Sequence, residues 1–180
     1  MTAPSTANLD HTASRPALVT PGRAAWLVAV LGIAAILCVY YFQYVLKYQP
    51  CPLCLEQRTP YYVVIPLAVL LGLAAPRLPR SMMMVGLVLA GLVMLVGAGL
   101  GVYHAGVEWQ FWPGPTDCSG SFSAGSAADL LREAATTPVV RCDQAAIRIL
   151  GLSLAGWNVM AALVMAAIAF VGARSACRRV

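Results

Sequence analysis

Lys47-Tyr-Gln-Pro-Cys51-Pro-Leu-Cys54-Leu-Glu-Gln-Arg58 lies between two stretches without formal charge, Ala24 to Leu46 and Thr59 to Pro76. A helix needs about 20 apolar residues to cross a bilayer. The first stretch meets that length and the second approaches it, so the dithiol segment reads as a short loop between two membrane spans. Two further uncharged stretches follow, Ser81 to Tyr103 and Ile149 to Ala173. A spanning backbone must satisfy its hydrogen bonds within itself, which leaves helices for spans of this length. The expectation is therefore an all-α membrane protein, a bundle of four transmembrane helices forming one integral membrane domain over residues 1–180.

Composition agrees with a bilayer environment. Of 180 residues, 60% are hydrophobic and only 11% charged, with a mean hydropathy of +0.76, which excludes an ordinary soluble surface. The first apolar run exceeds the about 7–15 residues of a signal-peptide core, and Leu-Lys-Tyr-Gln-Pro follows where small residues would precede cleavage. It reads as a retained helix. Four spans put residues 1–23, the Arg77 to Arg80 turn and residues 174–180 on one side, with Arg15, Arg23, Arg77, Arg80, Arg174, Arg178 and Arg179. Lys47, Arg58, Arg132, Arg141 and Arg148 fall opposite. The basic excess marks the first side as cytoplasmic, an N-in/C-in arrangement. The net charge of +5 is thus a matter of topology, and no basic patch interleaved with stacking aromatics points to nucleic acid.

The outer side then holds two loops, Lys47 to Arg58 and His104 to Arg148. The second is long, carries a Ser/Gly/Ala tract and a possible short helix from Ala127 to Ala135, and contains two cysteines; loops of that length are functional or disordered. Cys51, Cys54, Cys118 and Cys142 lie outside, Cys38 lies within the first span among apolar neighbours, and Cys177 lies inside. Four outer cysteines in an oxidising compartment permit three pairings, of which Cys51 with Cys54 and Cys118 with Cys142 is the simplest. Alone, Cys118 and Cys142 read as a staple. A staple across the short Cys51–Cys54 loop would constrain the unfolded chain little, so that pair reads as redox chemistry. Four thiolates holding zinc is a further alternative, weakened because Cys118 and Cys142 lack close ligand spacing; no metal is expected.

Pro52 suits the first turn of a helix, so the second helix is expected to begin at Cys51. Cys54 then sits near the positive end of the dipole with Arg58 one turn on, and both effects favour a thiolate there. A thiolate is the nucleophile of disulfide exchange and can donate electron density to a quinone ring, whose carbonyl Arg58 could bond. His104 reads as an interfacial histidine at the end of the third span, with Trp109, Phe111 and Trp112 as an aromatic belt.

These residues resemble a known family. Gly-Arg-Ala-Ala-Trp26, Pro-Cys51-Pro-Leu-Cys54-Leu-Glu-Gln-Arg58, Tyr103-His104, Cys118, Cys142 and Leu150-Gly-Leu-Ser-Leu-Ala-Gly-Trp157-Asn are similar to the motifs of the bacterial disulfide bond formation protein B (DsbB) family, inner-membrane quinone reductases that reoxidise a periplasmic thiol oxidase. The resemblance implies a Cys118–Cys142 disulfide attacked by a reduced, thioredoxin-like partner of the DsbA type. It further implies that Cys142 attacks Cys51, that Cys54 meets ubiquinone or menaquinone, and that Arg58 and His104 bind the quinone. The chain departs from the family at Ile147, where tryptophan is common. The alternatives are a thiol redox enzyme resembling the vitamin K epoxide reductases, whose Cys-x-x-Cys falls elsewhere, and a non-catalytic scaffold with stapled or zinc-bound loops.

Overall fold

A computed structural model describes residues 19–115 and 141–177. Cys118, the helix expected over 127–135 and most of the N-terminal tail lie outside these residues. The described chain is mostly helical: α1 Pro21–Tyr40, continued by a π-helical turn Tyr41–Val45; α2 Pro52–Glu56; α3 Thr59–Ala74; α4 Arg80–Glu108; and α5 Leu154–Cys177. A two-stranded hairpin, β1 Arg148–Ile149 with β2 Leu152–Ser153, immediately precedes α5.

Among the described residues three helices are long and apolar enough to cross a membrane: Pro21–Val45, Arg80–Glu108 and Leu154–Cys177. The stretch expected as the second span is shorter than that. Its helix α3 has 16 residues, about 24 Å at 1.5 Å per residue, against a hydrocarbon core of about 30 Å. Pro66 lies inside it and cannot donate to the carbonyl of Tyr62.

Local chemistry accounts for the ends. Thr20 caps α1, its hydroxyl accepting from the Arg23 amide at 3.4 Å, and Pro21 occupies the first turn. The helix begun at Pro52 does not run on into α3, as the sequence led us to expect. Pro60 has no N–H for the Glu56 carbonyl and would crowd it, so the chain breaks at Gln57 and Arg58, and Arg58 becomes the cap of α3. Helix α4 runs five residues past Tyr103, so His104 lies within it. The fourth span starts at Leu154 instead of Ile149, because Leu150 and Gly151, with φ of 53° and 83°, turn the chain through a two-residue hairpin. The Ser153 hydroxyl then caps α5 by accepting from the Gly156 amide at 3.2 Å.

Lipid tails are as apolar as leucine, so helices here are held by close packing and by interhelical hydrogen bonds. Helices α4 and α5 meet through small residues, including Ala90, Ala98, Ala162, Ala166 and Ala169, which share a buried cluster with Val28, Val64, Met94 and Met165. At Gly101 the approach is tight: an added Cβ would stand 2.7 Å from Val159 Cγ2 and 3.3 Å from the Ala155 carbonyl oxygen. Outward faces carry exposed apolar side chains such as Leu37, Leu70, Val96 and Val164, as a lipid-facing surface requires. Gly22 lies against Ala75 and Gly172 against Ala24, so the start of α1, the α3–α4 turn and the end of α5 share one end. Cys51, His104 and Asn158 gather toward the other.

Candidate redox site

Cys51 is the cap of α2. Its sulfur accepts the Cys54 amide at 3.2 Å and lies 2.9 Å from Cys54 Sγ, the two thiols being free. Cys51 is buried together with Leu53, Val107 and Cys142, while Cys54 is only partly covered. Cys142 is disulfide-bonded; Cys118, its expected partner, lies outside the described residues. While that bond stands, the Cys142 sulfur is not a thiolate ligand, which weighs against the four-cysteine zinc arrangement.

A hydrogen-bonded chain leads to this pair from the bundle interior. The Tyr61 hydroxyl donates to Asn158 Oδ1 at 2.7 Å, and Asn158 Nδ2 donates to Gln57 Oε1 at 2.7 Å. Gln57 Nε2 then donates to His104 Nδ1. A neutral ring accepting at Nδ1 carries its proton on Nε2, and that nitrogen faces Cys51 Sγ at 3.6 Å. Cys51 in turn donates to Cys54. Every link points toward Cys54. Interhelical bonds of this kind contribute about 0.6 kcal/mol each, whereas orphaning one buried partner costs about 1–3 kcal/mol. The chain therefore serves orientation more than stability.

The electrostatics separate the two sulfurs. The hydrogen bond that Cys51 donates to Cys54 pushes the Cys51 thiol above its ordinary range, with burial adding to the effect. The same bond lowers Cys54, against the opposing effect of burial, and the Arg58 charge assists. The expected thiolate is thus at Cys54, but its first cause is the neighbouring thiol; the helix once expected to run on through Arg58 has only five residues. As pH falls, Cys54 keeps its thiolate until pH passes below this lowered value. In Cys51→Ala the main lowering cause is gone and burial remains, so the pH of half-maximal alkylation at Cys54, followed by peptide mass spectrometry, moves upward. An unchanged profile would assign the thiolate to another cause.

Arg58 is buried rather than snorkelling to the interface. Its Nη1 donates to Gln43 Oε1 at 2.7 Å and its guanidinium lies 5.6 Å from the Tyr40 ring centroid. Its Nε is buried without a partner. Arg58 and Cys54 line one cavity of about 460 Å³, walled by apolar side chains including Ile36, Val39, Phe42, Ile149 and Leu154. His104 does not line it; the ring stands behind Cys51, close to the Cys142 backbone. Trp109, Phe111 and Trp112 are exposed at the end of α4, Trp112 stacking on Tyr103.

The structure thus brings together Cys51, Cys54, Arg58, His104 and Cys142. It adds Gln43, Gln57, Tyr61, Glu108 and Asn158, which the sequence reading passed over. Polar residues within apolar spans are functional candidates by default, and Gln43 and Asn158 carried that signal.

Two exchange-ready thiols at one end of a helical assembly with apolar outer faces place the chain among membrane-embedded thiol–disulfide proteins. Residues 22–172 match the family described as disulfide bond formation protein DsbB, and the chain belongs to that family. It is 29% identical over 168 residues to disulfide bond formation protein B of Verminephrobacter eiseniae, covering 89% of this chain and 92% of the relative. The protein of the same description from Paracidovorax citrulli is 32% identical over 84% of this chain and 86% of its own length. That from Polaromonas sp. is 29% identical over 84% and 88%.

Proposed function

We propose that the protein is a quinone-dependent thiol:disulfide oxidoreductase of the bacterial inner membrane. It reoxidises a periplasmic, thioredoxin-like thiol oxidase of the DsbA type and passes two electrons to ubiquinone or menaquinone. The observation that carries this reading is Cys54, the favoured thiolate, in the wall of an apolar cavity that buried Arg58 also lines. A flat, apolar ring with carbonyl oxygens fits those surroundings: the side chains supply apolar contact, and the Arg58 guanidinium meets an oxygen. The basic residues favour α3 as a short fourth span, with the dithiol and hairpin end facing the periplasm.

In this reading a partner thiolate attacks the Cys118 sulfur, the Cys118–Cys142 bond breaks, and Cys142 leaves as a thiolate. Cys142 then attacks Cys51, whose bond to Cys54 breaks, and Cys54 leaves as the thiolate in the cavity wall. The partner's second thiol displaces Cys118, which recovers Cys142 and frees Cys51. The Cys51–Cys54 bond then re-forms as two electrons leave. A bound quinone supplies the acceptor for these electrons and for the two protons that came from the partner's thiols, and departs as quinol. The Gln57 bond at Nδ1 holds the His104 ring with Nε2 beside Cys51, close to the Cys142 backbone.

The order of exchange is tested by Cys142→Ser. In Cys142→Ser the Cys118 thiol has no disulfide partner, so the trap uses the partner in its oxidised form. The Cys118 thiolate attacks the partner's disulfide, one partner thiol leaves, and the mixed disulfide on Cys118 is expected on non-reducing gels and located by peptide mapping. A trap found on Cys51 would reverse the order.

A further inference from the structure

Cys51 Sγ, Cys54 Sγ and a ring nitrogen of His104 lie within 4.8 Å of one another. One turn beyond His104, on the same face of α4, Glu108 brings Oε1 to 3.8 Å from His104 Nε2, with its side chain only 5% exposed. Its other oxygen, Oε2, is buried without a hydrogen-bond partner. Ser153 and Arg148 are its further polar neighbours. The Arg148 charge acts favourably on this carboxylate, yet its Oε2, at the negative end of a helix, has no donor or cation bonded to it.

We propose that, when the Cys51–Cys54 bond is open, the two sulfurs, His104 Nε2 and the Glu108 carboxylate hold one zinc-class divalent cation. Two thiolates, an imidazole and a carboxylate form a borderline-soft, four-coordinate donor set, and Cys-x-x-Cys is a common half of such sites. Bond lengths of about 2.3 Å to sulfur and about 2.0 Å to nitrogen and oxygen give tetrahedral edges of about 3.8 Å between sulfurs and about 3.3–3.5 Å elsewhere. The sulfurs stand 2.9 Å apart, Cys51 Sγ and His104 Nε2 3.6 Å, and Nε2 and Glu108 Oε1 3.8 Å. Each of these three differs from its tetrahedral edge by under about 1 Å; Glu108 stands outside the trio that lies within 4.8 Å of one another, and its carboxylate reaches the sulfurs by side-chain rotation.

The surroundings support the imidazole ligand. A metal-bound histidine donates its other N–H to an acceptor, and Gln57 already bonds Nδ1. A half-turn of the Gln57 and Asn158 amides presents the Gln57 oxygen to Nδ1–H and leaves the Tyr61 hydroxyl as acceptor, so the same chain of groups runs in the opposite direction. Binding releases the protons that the two thiols carry and changes no oxidation state. It engages both sulfurs, withholding Cys51 from exchange and Cys54 from the cavity, and so acts as a brake on the reduced form. This site is distinct in donors from a four-cysteine arrangement, since it uses neither Cys118 nor Cys142.

The test is a cobalt(II) titration of the full-length protein in detergent, with Cys118 and Cys142 replaced by serine and Cys38 and Cys177 by alanine, reduced with a phosphine. The expected result is one equivalent bound with thiolate charge-transfer and tetrahedral absorption, displaced by zinc and absent after Cys51 and Cys54 are oxidised to a disulfide. His104→Ala and the isosteric Glu108→Gln are each expected to weaken binding by about tenfold or more. Absence of tetrahedral thiolate absorption, or unchanged affinity in Glu108→Gln, would overturn the proposal. The titration contains neither quinone nor partner dithiol, so its outcome is independent of the proposed electron path.

Discussion

Replacing Cys54 by serine is expected to lower quinone reduction at saturating dithiol by more than about a thousandfold, with quinone binding changed by much less. Serine keeps the size and polarity of the side chain in the cavity wall. It cannot close a disulfide with Cys51, so the bond whose formation releases the two electrons cannot form, and a hydroxyl ionises far less readily than the Cys54 thiol, which is lowered by the Cys51 hydrogen bond. The effect is therefore expected in kcat, measured by the fall in quinone absorbance under anaerobic conditions. The same loss is not expected from Cys38→Ala. Cys38 also lines the cavity, but no described cysteine lies near it in sequence.

Arg58→Met is expected to act on the other parameter. The methionine retains length and apolar contact but removes the guanidinium of a residue that lines the cavity. A hydrogen bond to a charged group contributes about 1.5–3 kcal/mol, or roughly 10- to 100-fold, so the KM for quinone should rise by that factor. Arg58→Lys keeps the charge without the planar fork and should fall between. Gln43→Leu, which removes the oxygen that Arg58 Nη1 bonds at 2.7 Å, is a weaker form of the same change. An unchanged quinone KM in Arg58→Met would remove Arg58 from the binding site.

Much of this arrangement was legible because its strongest determinants are local. Charge-free runs of membrane length marked α1, α4 and α5, and Pro52 within the Cys-x-x-Cys marked a helix start. What escaped was mostly a matter of single residues whose effect depends on neighbours. Pro60 breaks the chain between Glu56 and Thr59, a signal present in Arg58-Thr-Pro60 but outweighed by the apolar run that follows. Leu150 adopts a left-handed backbone and is 90% exposed, which no propensity for leucine foretells. Helix α4 continues through Gly106 to Glu108, although glycine is a poor helix former.

The site was legible in its reactive atoms and not in their supports. Cys51, Cys54 and Arg58 are close in sequence, and helical spacing sufficed to join them. Gln57, Asn158, Tyr61 and His104 are joined across three helices, so only packing reveals that they form one oriented chain. His104 illustrates the difference: its type and depth were readable, whereas its place behind Cys51 and not in the cavity wall required the fold.

The central claim is that two electrons pass from a protein dithiol through the Cys51–Cys54 pair to a quinone. The most direct measurement is an anaerobic titration of the purified wild-type protein with a reduced thioredoxin-like dithiol and excess quinone, scoring thiols lost and quinol formed. One quinol for each dithiol oxidised, with none formed by Cys54→Ser, is the predicted result. Dithiol oxidation without quinol, or equal quinol formation by the Cys54→Ser protein, would contradict the account.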